Sequence, residues 1–325
     1  MKKGLKTILV SIGILILCSV IFFFWASAST VPESEYQKLE VNSFKAITDT
    51  DSIYSIVTYN IGYLSGMTNN LAVEKSKTLF DTNLKKVLKE FKSVNPDIIA
   101  FQEIDYDASR SYHINQHNEI ASLGYTYEAE TVNWDETYVP FPYWPPAMHF
   151  GKVLSGQSIL SKYQINSQER IVLERVKTSP FYRDAFYIDR LAQVVKVQIE
   201  DQEVVIINVH LEAFDTQTRV NQFQAVLDLF HTYAATNPTI LLGDFNSDAN
   251  DENAVIQNIL QEKSIGNAAF TNTDYAFTYN SETPDVRIDY IFYTKNTIHY
   301  VDGNVLQQLE QASDHLPVAM RFKLK

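Results

Sequence analysis

The stretch from Asn237 to Asp248 limits the folds open to this chain more than any other part of it. Thr239 to Leu242 is a continuous apolar run between turn residues, a pattern typical of a strand that is buried on both faces. Gly243 permits a tight turn, after which Asp244 and Asn246 follow at the carboxyl end of the strand. A carboxylate can bind a metal or accept a proton, and an amide can donate to a phosphoryl oxygen. On their own, however, the two residues fit an ordinary Asp/Asn turn better.

The rest of the chain alternates apolar strands with amphipathic helices. Residues 53–59 and 97–103 have the composition of strands, and the apolar residues between Phe80 and Phe91 recur at helical spacing. A second amphipathic helix at 216–236 leads into the opening stretch. Strand, helix and strand in this order are typical of a sheet covered by helices, so we predict an α/β fold. Further strands are predicted at 157–162, 170–176, 191–199, 203–209, 287–293 and 316–322.

The first 28 residues differ in composition from everything that follows. Three lysines precede an almost wholly apolar segment of 18 residues from Ile8 to Trp25, and Ala26-Ser27-Ala28 then fits the small-x-small pattern of a cleavage site. The segment is long for a signal peptide and just long enough to span a bilayer. A secreted protein and a membrane-anchored protein therefore both stay open. We favour the anchor, with its positive end inside and the rest of the chain outside the cytoplasm.

We accordingly divide the chain into a signal peptide or membrane anchor (1–28), a linker without periodicity (29–50) and a single domain (51–325) that we expect to be monomeric. Cys18 is the only cysteine, so no disulfide can stabilise the domain. Without the three N-terminal lysines the chain keeps 24 of its 27 basic residues against 39 acidic ones, a net charge of −15. This excess argues against tight, non-specific binding to a polyanion such as duplex DNA.

Residues 131–156 are predicted to form a loop, because they contain four prolines and show no period. The loop holds Trp134 and Trp144 together with several tyrosines and phenylalanines. Aromatic side chains on a proline-stiffened loop could grip the apolar part of a ligand or lie at a membrane interface. Packing of the loop on its own aromatic residues is an equally good interpretation. His149 in this loop is more typical of a packed histidine than of a site residue.

Polar residues recur at the ends of the predicted strands. Because such ends can converge on one edge of a sheet, we predict a common site there. Oxygen ligands with few histidines and no thiolate favour a hard cation, Mg²⁺ or Mn²⁺, over zinc. The candidate site residues are Asn60, Glu103, His210, Asp244, Asn246, Asp289, Asp314 and His315.

The sequence around these residues resembles the endonuclease/exonuclease/phosphatase superfamily, which includes DNase I-like nucleases, exonuclease III-like enzymes and neutral sphingomyelinases. Six motifs occur in the family's order from about residue 53 to the C-terminus, so the resemblance is specific although each motif alone is weak. The motifs are Thr-Tyr-Asn60-Ile-Gly, Ile-Ile-Ala-Phe-Gln-Glu103, Ile-Asn-Val-His210-Leu, Leu-Leu-Gly-Asp244-Phe-Asn246, Arg-Ile-Asp289-Tyr-Ile-Phe and Ser-Asp314-His315-Leu-Pro-Val.

The resemblance implies a four-layer α/β sandwich, in which helices flank two central, mostly antiparallel sheets. It also implies metal-dependent hydrolysis of a phosphate ester by in-line attack of water. Glu103, Asn60 and Asp314 would then lie at the metal.

The remaining residues would be catalytic by the same resemblance. Asp244 would activate the water, and Asn246 and His210 would hydrogen-bond the phosphoryl oxygens. His315, oriented by Asp289, would stabilise the developing charge. These roles agree with the general importance of positioning and charge neutralisation in such reactions.

The substrate is not specified by these motifs. Apolar loops, the acidic charge and the possible anchor favour a phospholipid-like ester. A secreted DNA or RNA nuclease is the alternative, although the basic residues are scattered and only Arg183 and Arg190 could line a groove. A non-catalytic binding module is the remote alternative, because it predicts the loss of at least one site residue and none is lost.

Overall fold

The structure is a computed structural model that describes residues 2–44, 52–270 and 276–325. Its helices are α1 (Lys2–Ala26), α2 (Lys77–Val94), α3 (Gln116–Ala121), α4 (Phe181–Asp184), α5 (Thr216–Ala234) and α6 (Gln257–Leu260). Its strands are β1 (Gln37–Val41), β2 (Tyr54–Asn60), β3 (Ile98–Asp105), β4 (Tyr127–Val139), β5 (Gly151–Ser161), β6 (Ile165–Val172), β7 (Leu191–Ile199), β8 (Gln202–His210), β9 (Thr239–Asp244), β10 (Ile265–Asn267), β11 (Asp289–Thr294), β12 (Ile298–Val305) and β13 (Val318–Leu324).

The described strands form two sheets with the orders β1-β4-β5-β3-β2-β13-β12 and β10-β11-β9-β8-β7-β6. Each sheet has one parallel pair at its centre, β2 with β3 and β8 with β9, and its other described pairs are antiparallel. The register sets Asn60 opposite Gln102 and His210 opposite Asp244. Parallel neighbours end on the same side of a sheet, so the polar residues at their carboxyl ends are brought together.

Apolar packing occurs on both faces of each sheet. One buried cluster lies between the sheets and includes Ile56 and Ile98 from the first and Ile206 and Ile240 from the second. The outer face of the first sheet packs on α2, and the outer face of the second packs on α5. Helix, sheet, sheet and helix make up the predicted four-layer α/β sandwich, and the fold prediction is therefore confirmed.

Local signals explain the two long helices that flank the sheets. Ser76 accepts a hydrogen bond from the Leu79 amide at the start of α2, and Asp215 accepts one from the Thr218 amide at the start of α5. Asn95, in the left-handed conformation, ends α2 directly before Pro96. Gln222 lies on the polar side of the amphipathic pattern of α5, which predicts that it faces solvent. It is nevertheless buried, because its Oε1 accepts a 2.8 Å hydrogen bond from the Glu212 backbone amide.

Two segments differ from the sequence-based expectation. The predicted loop 131–156 is wrong in its bounds: β4 extends to Val139 and β5 begins at Gly151, so the loop covers only 140–150. Trp134 thus lies in a strand, where the absence of regular apolar alternation had concealed it. Within the predicted linker 29–50, residues 37–41 form the edge strand β1, which is exposed throughout and so lacks a buried face. Residues 45–51, which include the predicted boundary between linker and domain, lie outside the described residues.

Gly243 generates a testable prediction about the strand that carries Asp244. A Cβ atom at this position would lie 2.0 Å from the carbonyl oxygen of Val209. The backbone φ angle of +134° is also one that residues other than glycine rarely adopt. We expect Gly243→Ala to lower the free energy of unfolding by at least about 3 kcal/mol. Thermal unfolding of the detergent-solubilised chain, followed by circular dichroism, measures this loss.

Gly124→Ala is the matched control, because Gly124 has a φ of +118° but no heavy atom within 4 Å of the point where a Cβ atom would lie. It tests backbone strain without the clash, and we expect a loss of about 1 kcal/mol. Equal losses of thermal stability in the two variants would contradict the steric explanation.

Candidate active site

The two sheets are joined at the predicted site by a direct hydrogen bond. Asn60, at the end of β2, donates from Nδ2 to Asp244 Oδ2 at the end of β9 over 2.9 Å. His210, at the end of β8, has its Nε2 atom 3.6 Å from the same Asp244 oxygen and 3.7 Å from Glu103 Oε1. Residues from four strand ends therefore meet in a space of a few ångströms.

His315 and Asp289 form a buried pair on the other side of Asp244. The Nδ1 atom of His315 lies 2.9 Å from Asp289 Oδ2, and its Nε2 lies 3.7 Å from Asp244 Oδ2. Burial alone would lower the pKa of His315, but the carboxylates of Asp289 and Asp244 outweigh it and raise that pKa well above its ordinary value. The imidazole is consequently held in one orientation with its Nε2 facing Asp244.

Asp244 itself is placed to accept a proton near neutral pH. Burial, with a contribution from Asp289, raises its pKa to about 7, against the opposing effects of His315, the Asn246 amide and Asn60. The backbone amide of Asn246, in the turn after β9, donates to Asp244 Oδ1 over 2.9 Å and so orients the carboxylate. A base is most effective when its pKa lies close to the working pH.

Glu103 and Asp314 form a second acidic group beside Asn60. The Nδ2 atom of Asn69 lies 2.9 Å from Glu103 Oε2 and 3.4 Å from each oxygen of Asp314. Burial and the charge of Asp314 raise the pKa of Glu103. Two partly buried carboxylates that repel one another fit a hard divalent cation well, because its charge would offset the repulsion and its preferred ligands are oxygens.

His210 has a partner that the strand-end pattern did not include. Nη1 of the buried Arg190 lies 2.6 Å from His210 Nε2, so Nε2 accepts and the ring proton belongs on Nδ1. Burial, Arg190 and His315 lower the pKa of His210 well below its ordinary value. In this arrangement a neutral His210 cannot donate from Nε2 to a phosphoryl oxygen, whereas the Arg190 guanidinium can. The donor role predicted for His210 thus stays a prediction, and Arg190 is a better candidate for that role in this arrangement.

A small network holds Arg190 in place. Its Nε lies 3.6 Å from Glu212 Oε2, and the Tyr187 hydroxyl donates to Glu212 Oε1 over 2.9 Å. Arg190 directly precedes β7, which runs antiparallel to β8 with Leu191 opposite His210. The amino end of an antiparallel strand lies at the same sheet edge as the carboxyl end of its neighbour. A polar residue at the amino end of a strand, such as Arg190, can therefore be a site residue as well as one at a carboxyl end.

Asn246 occupies the turn after β9 with a φ of +47°. Its Nδ2 donates to the Leu211 carbonyl oxygen over 2.9 Å, which orients the side chain and leaves the second hydrogen of that amide for another acceptor. The structure thus brings all eight predicted site residues to one sheet edge. It adds Asn69 and Arg190, and it leaves Arg183 exposed and His149 in a hydrogen bond with the Tyr138 hydroxyl.

Another histidine and two carboxylates lie away from this edge. His117 Nε2 is 2.5 Å from Glu128 Oε2 and 3.5 Å from Glu130 Oε1. Glu128 and Glu130 belong to β4, which β5 separates from β3 and its site residue Glu103 in the first sheet. The group has the pattern of a buried ion pair.

Solved structures of similar fold support the architecture. An endonuclease/exonuclease/phosphatase of Beutenbergia cavernae has a TM-score of 0.63 and 21% identity, with 84% of this chain and 72% of that chain covered. The human Nocturnin catalytic domain with bound sulfate has a TM-score of 0.57 and 17% identity, with 91% and 100% covered. A humanized TDP2 of D. rerio has a TM-score of 0.56 and 17% identity, with 84% and 100% covered. At these identities the likeness concerns the fold alone.

Sequence comparisons identify the family. Two UPF0294 proteins of Vibrio cholerae are 28% identical to this chain over 125 residues, which make up 38% of this chain and 42% of theirs. The match thus spans less than half the length of these curated relatives. The endonuclease/exonuclease/phosphatase family matches residues 57–315, a range that contains all eight predicted site residues. The chain belongs to the endonuclease/exonuclease/phosphatase family.

Proposed function

We propose that the protein is a Mg²⁺-dependent phosphodiesterase that acts outside the cytoplasm while its N-terminal helix holds it to the membrane. The observation that carries the proposal is the position of Asp244. This buried carboxylate lies within 3.7 Å of both His210 and His315, and its bonding partner Asn60 adjoins the acidic pair of Glu103 and Asp314. A base, the cationic His315 and the proposed cation site are thereby close together.

The proposed cation ligands are Glu103 and Asp314, together with the Asn60 side-chain oxygen, which accepts a 3.1 Å hydrogen bond from the Gly62 backbone amide. A bound Mg²⁺ or Mn²⁺ would supply charge neutralisation for a phosphoryl oxygen and for the leaving group. Asn69 donates to both carboxylates and so keeps them oriented towards one another. The absence of sulfur and imidazole from this donor set favours a hard cation over zinc.

The other residues act on the water and the phosphoryl group. Asp244 accepts a proton from the attacking water while the water oxygen forms a bond to phosphorus. The ester P–O bond on the opposite side of the phosphorus breaks. His315, held by Asp289, stabilises the negative charge that develops on the phosphoryl oxygens, and Asn246 and Arg190 donate to them. Such preorganised donors contribute most when they are buried and need no reorientation during the reaction.

The N-terminal helix supports membrane attachment. Residues 3–26 of α1 are long and apolar enough to cross a bilayer, and their exposed side chains leave only the last turns in contact with the domain. Ala26 is buried, and the Ala28 carbonyl oxygen accepts a 2.9 Å hydrogen bond from the Thr137 amide. The small-x-small segment is therefore built into the domain surface, which favours an uncleaved anchor over a removed signal peptide.

The substrate class is tested by a hydrolysis panel with Mg²⁺ or with EDTA. The panel contains duplex DNA, RNA, inositol phosphates, sphingomyelin and bis(p-nitrophenyl) phosphate. We expect Mg²⁺-dependent cleavage of a phosphodiester, and we expect Asp244→Asn and His315→Ala to reduce turnover by about 10²–10⁴-fold without loss of fold. Either variant near full rate would contradict its role, and cleavage of nucleic acid alone would identify a nuclease instead.

Cation binding gives a second prediction, in which one substitution changes thermal stability in opposite directions with and without Mg²⁺. Mg²⁺ at about 100 times its dissociation constant should stabilise the wild-type chain by about 2.7 kcal/mol. Glu103→Gln should abolish this gain and yet raise the melting temperature in EDTA, because it removes a partly buried charge that Asp314 repels. Differential scanning fluorimetry measures both, with the exposed Glu282→Gln as the control. An undiminished response to Mg²⁺ in Glu103→Gln would exclude Glu103 as a ligand.

Arg190 gives a third prediction, because it is a buried cation that contacts His210 at the proposed site. We expect Arg190→Met to lower kcat/KM for bis(p-nitrophenyl) phosphate by about 10²-fold, the usual effect of removing one charged donor to a transition state. Arg183→Met, an equal change at an exposed position of the same loop, should have little effect. If both variants keep the wild-type rate, Arg190 serves the packing of the site and not its chemistry.

A further inference from the structure

We propose that five exposed aromatic residues form a membrane-contacting rim around the mouth of the site, so that the substrate is the phosphodiester headgroup of a lipid in the same bilayer that α1 spans. The inference rests on the proposed phosphodiesterase function and names its substrate class. The aromatic rim consists of Tyr143, Trp144, Phe181, Tyr182 and Phe214, whose exposed fractions are 69%, 78%, 75%, 57% and 83%. Single exposed aromatic residues are ordinary, but a group on adjoining loops indicates a contact surface.

The rim lies on three segments between strands: loop 140–150, residues 173–190, which include α4, and residues 211–215. Trp134 packs on Phe150 of loop 140–150 at 6.0 Å between ring centroids, and its indole nitrogen donates to the Phe186 carbonyl oxygen over 3.1 Å. Tyr187 in that second loop donates to Glu212, and Glu212 in turn accepts a 3.0 Å hydrogen bond from the Phe214 amide. The loops that carry the five residues are therefore parts of one surface.

The end of α1 fixes the height of this surface relative to a bilayer. The Phe23 ring lies 5.8 Å from Phe181 and 5.6 Å from Phe186, and Trp25 stacks on Tyr138 at 6.0 Å between ring centroids. The last turn of a spanning helix lies at the membrane–water interface, where tryptophan and tyrosine are enriched. Phe181, in contact with that turn, must lie at the same depth.

The same loops lead directly into the site. Loop 173–190 ends at Arg190, which contacts His210, and Phe214 follows His210 by only four residues. On the other side, the Arg110 guanidinium lies 3.4 Å from the centre of the Tyr63 ring and 5.0 Å from those of Trp134 and Phe150. Tyr63 comes three residues after Asn60, so aromatic packing continues from the site to the base of loop 140–150. Two of the rim segments thus begin or end at a residue of the site, and the third is linked to Tyr63 by aromatic contacts.

The charge of the domain explains why apolar contacts are needed. With a net charge of −15 outside the first 28 residues, the domain gains no electrostatic attraction to an anionic leaflet. Tethering through α1 supplies a high local concentration of lipid, and the rim supplies orientation of the mouth towards the headgroups. A polyanion in solution would be repelled by the same charge, which disfavours nucleic acid as the substrate.

The depth of Trp144 is measured first, in the full-length protein reconstituted into phosphatidylcholine vesicles. Its contribution to fluorescence is the difference between the wild type and Trp144→Phe, because Trp25 and Trp134 are the other two tryptophans. We expect brominated phosphatidylcholine to quench this difference signal. A Trp144 signal that bromolipid leaves unchanged, but that a water-soluble quencher reduces, would overturn the proposed rim whatever the enzyme cleaves.

Activity is then compared on the same headgroups in two forms, as vesicles and as water-soluble dibutyroyl lipids below their micellar concentration. The headgroups are choline, ethanolamine and glycerol phosphodiesters. The rim variant Trp144→Ser/Phe181→Ser/Phe214→Ser should lose at least 10-fold of its rate on vesicles and change far less on the soluble esters. Phe44→Ser is the control: Phe44 is exposed just beyond β1, whose end pairs with Tyr127 at the opposite end of β4.

The outcomes separate the inference from the proposed function. Equal losses on vesicles and on soluble esters, or no loss on vesicles, would show that the rim does not present the site to lipid. Hydrolysis of bis(p-nitrophenyl) phosphate without hydrolysis of any lipid headgroup would overturn the substrate class while the phosphodiesterase function stands. Failure to hydrolyse any of these esters would overturn the proposed function itself, and the quenching result would still test the rim.

Discussion

The hydrogen bond between Asn60 and Asp244 is the contact on which the site depends. It joins the end of β2 in one sheet to the end of β9 in the other, and both residues are almost completely buried. The two parallel strand pairs make this contact possible, because each places a second polar residue, Glu103 or His210, beside the first. The apolar cluster between the sheets fixes their relative position. It therefore also fixes the distances between the site side chains that the two sheets carry.

Burial gives the site its electrostatic character. Removing Glu103 and Asp244 from water raises the pKa of each, and the nearby His315 and the hydrogen-bond donors limit the rise at Asp244. The fold therefore carries carboxylates whose burial opposes its own stability, and a bound cation would offset their charge. Strained positions at the same edge, with φ of +53° at Glu103 and +47° at Asn246, agree with a surface shaped for chemistry.

Much of this arrangement could be predicted from the sequence, and the remainder could not for physical reasons. Polar residues at the ends of apolar runs identified the strands of the parallel pairs and seven of the eight candidate residues, whereas Asp289 was predicted within a strand. The six motifs in order indicated the layered fold. Asn69 gave no such signal, because it lies in an irregular segment and reaches Glu103 only through tertiary structure. Strand β1 and the true ends of β4 were missed because neither shows the alternation by which half-buried strands are recognised.

We propose that a hard cation is held between Glu103 and Asp314 at the edge where the two sheets meet. Anomalous diffraction from crystals grown with Mn²⁺ tests this site most directly, since manganese scatters anomalously and shares the ligand preferences of magnesium. We expect a peak within coordination distance of both carboxylates and next to the Asn60 side chain. No peak there at saturating Mn²⁺, or a peak only at His117, Glu128 and Glu130, would contradict it.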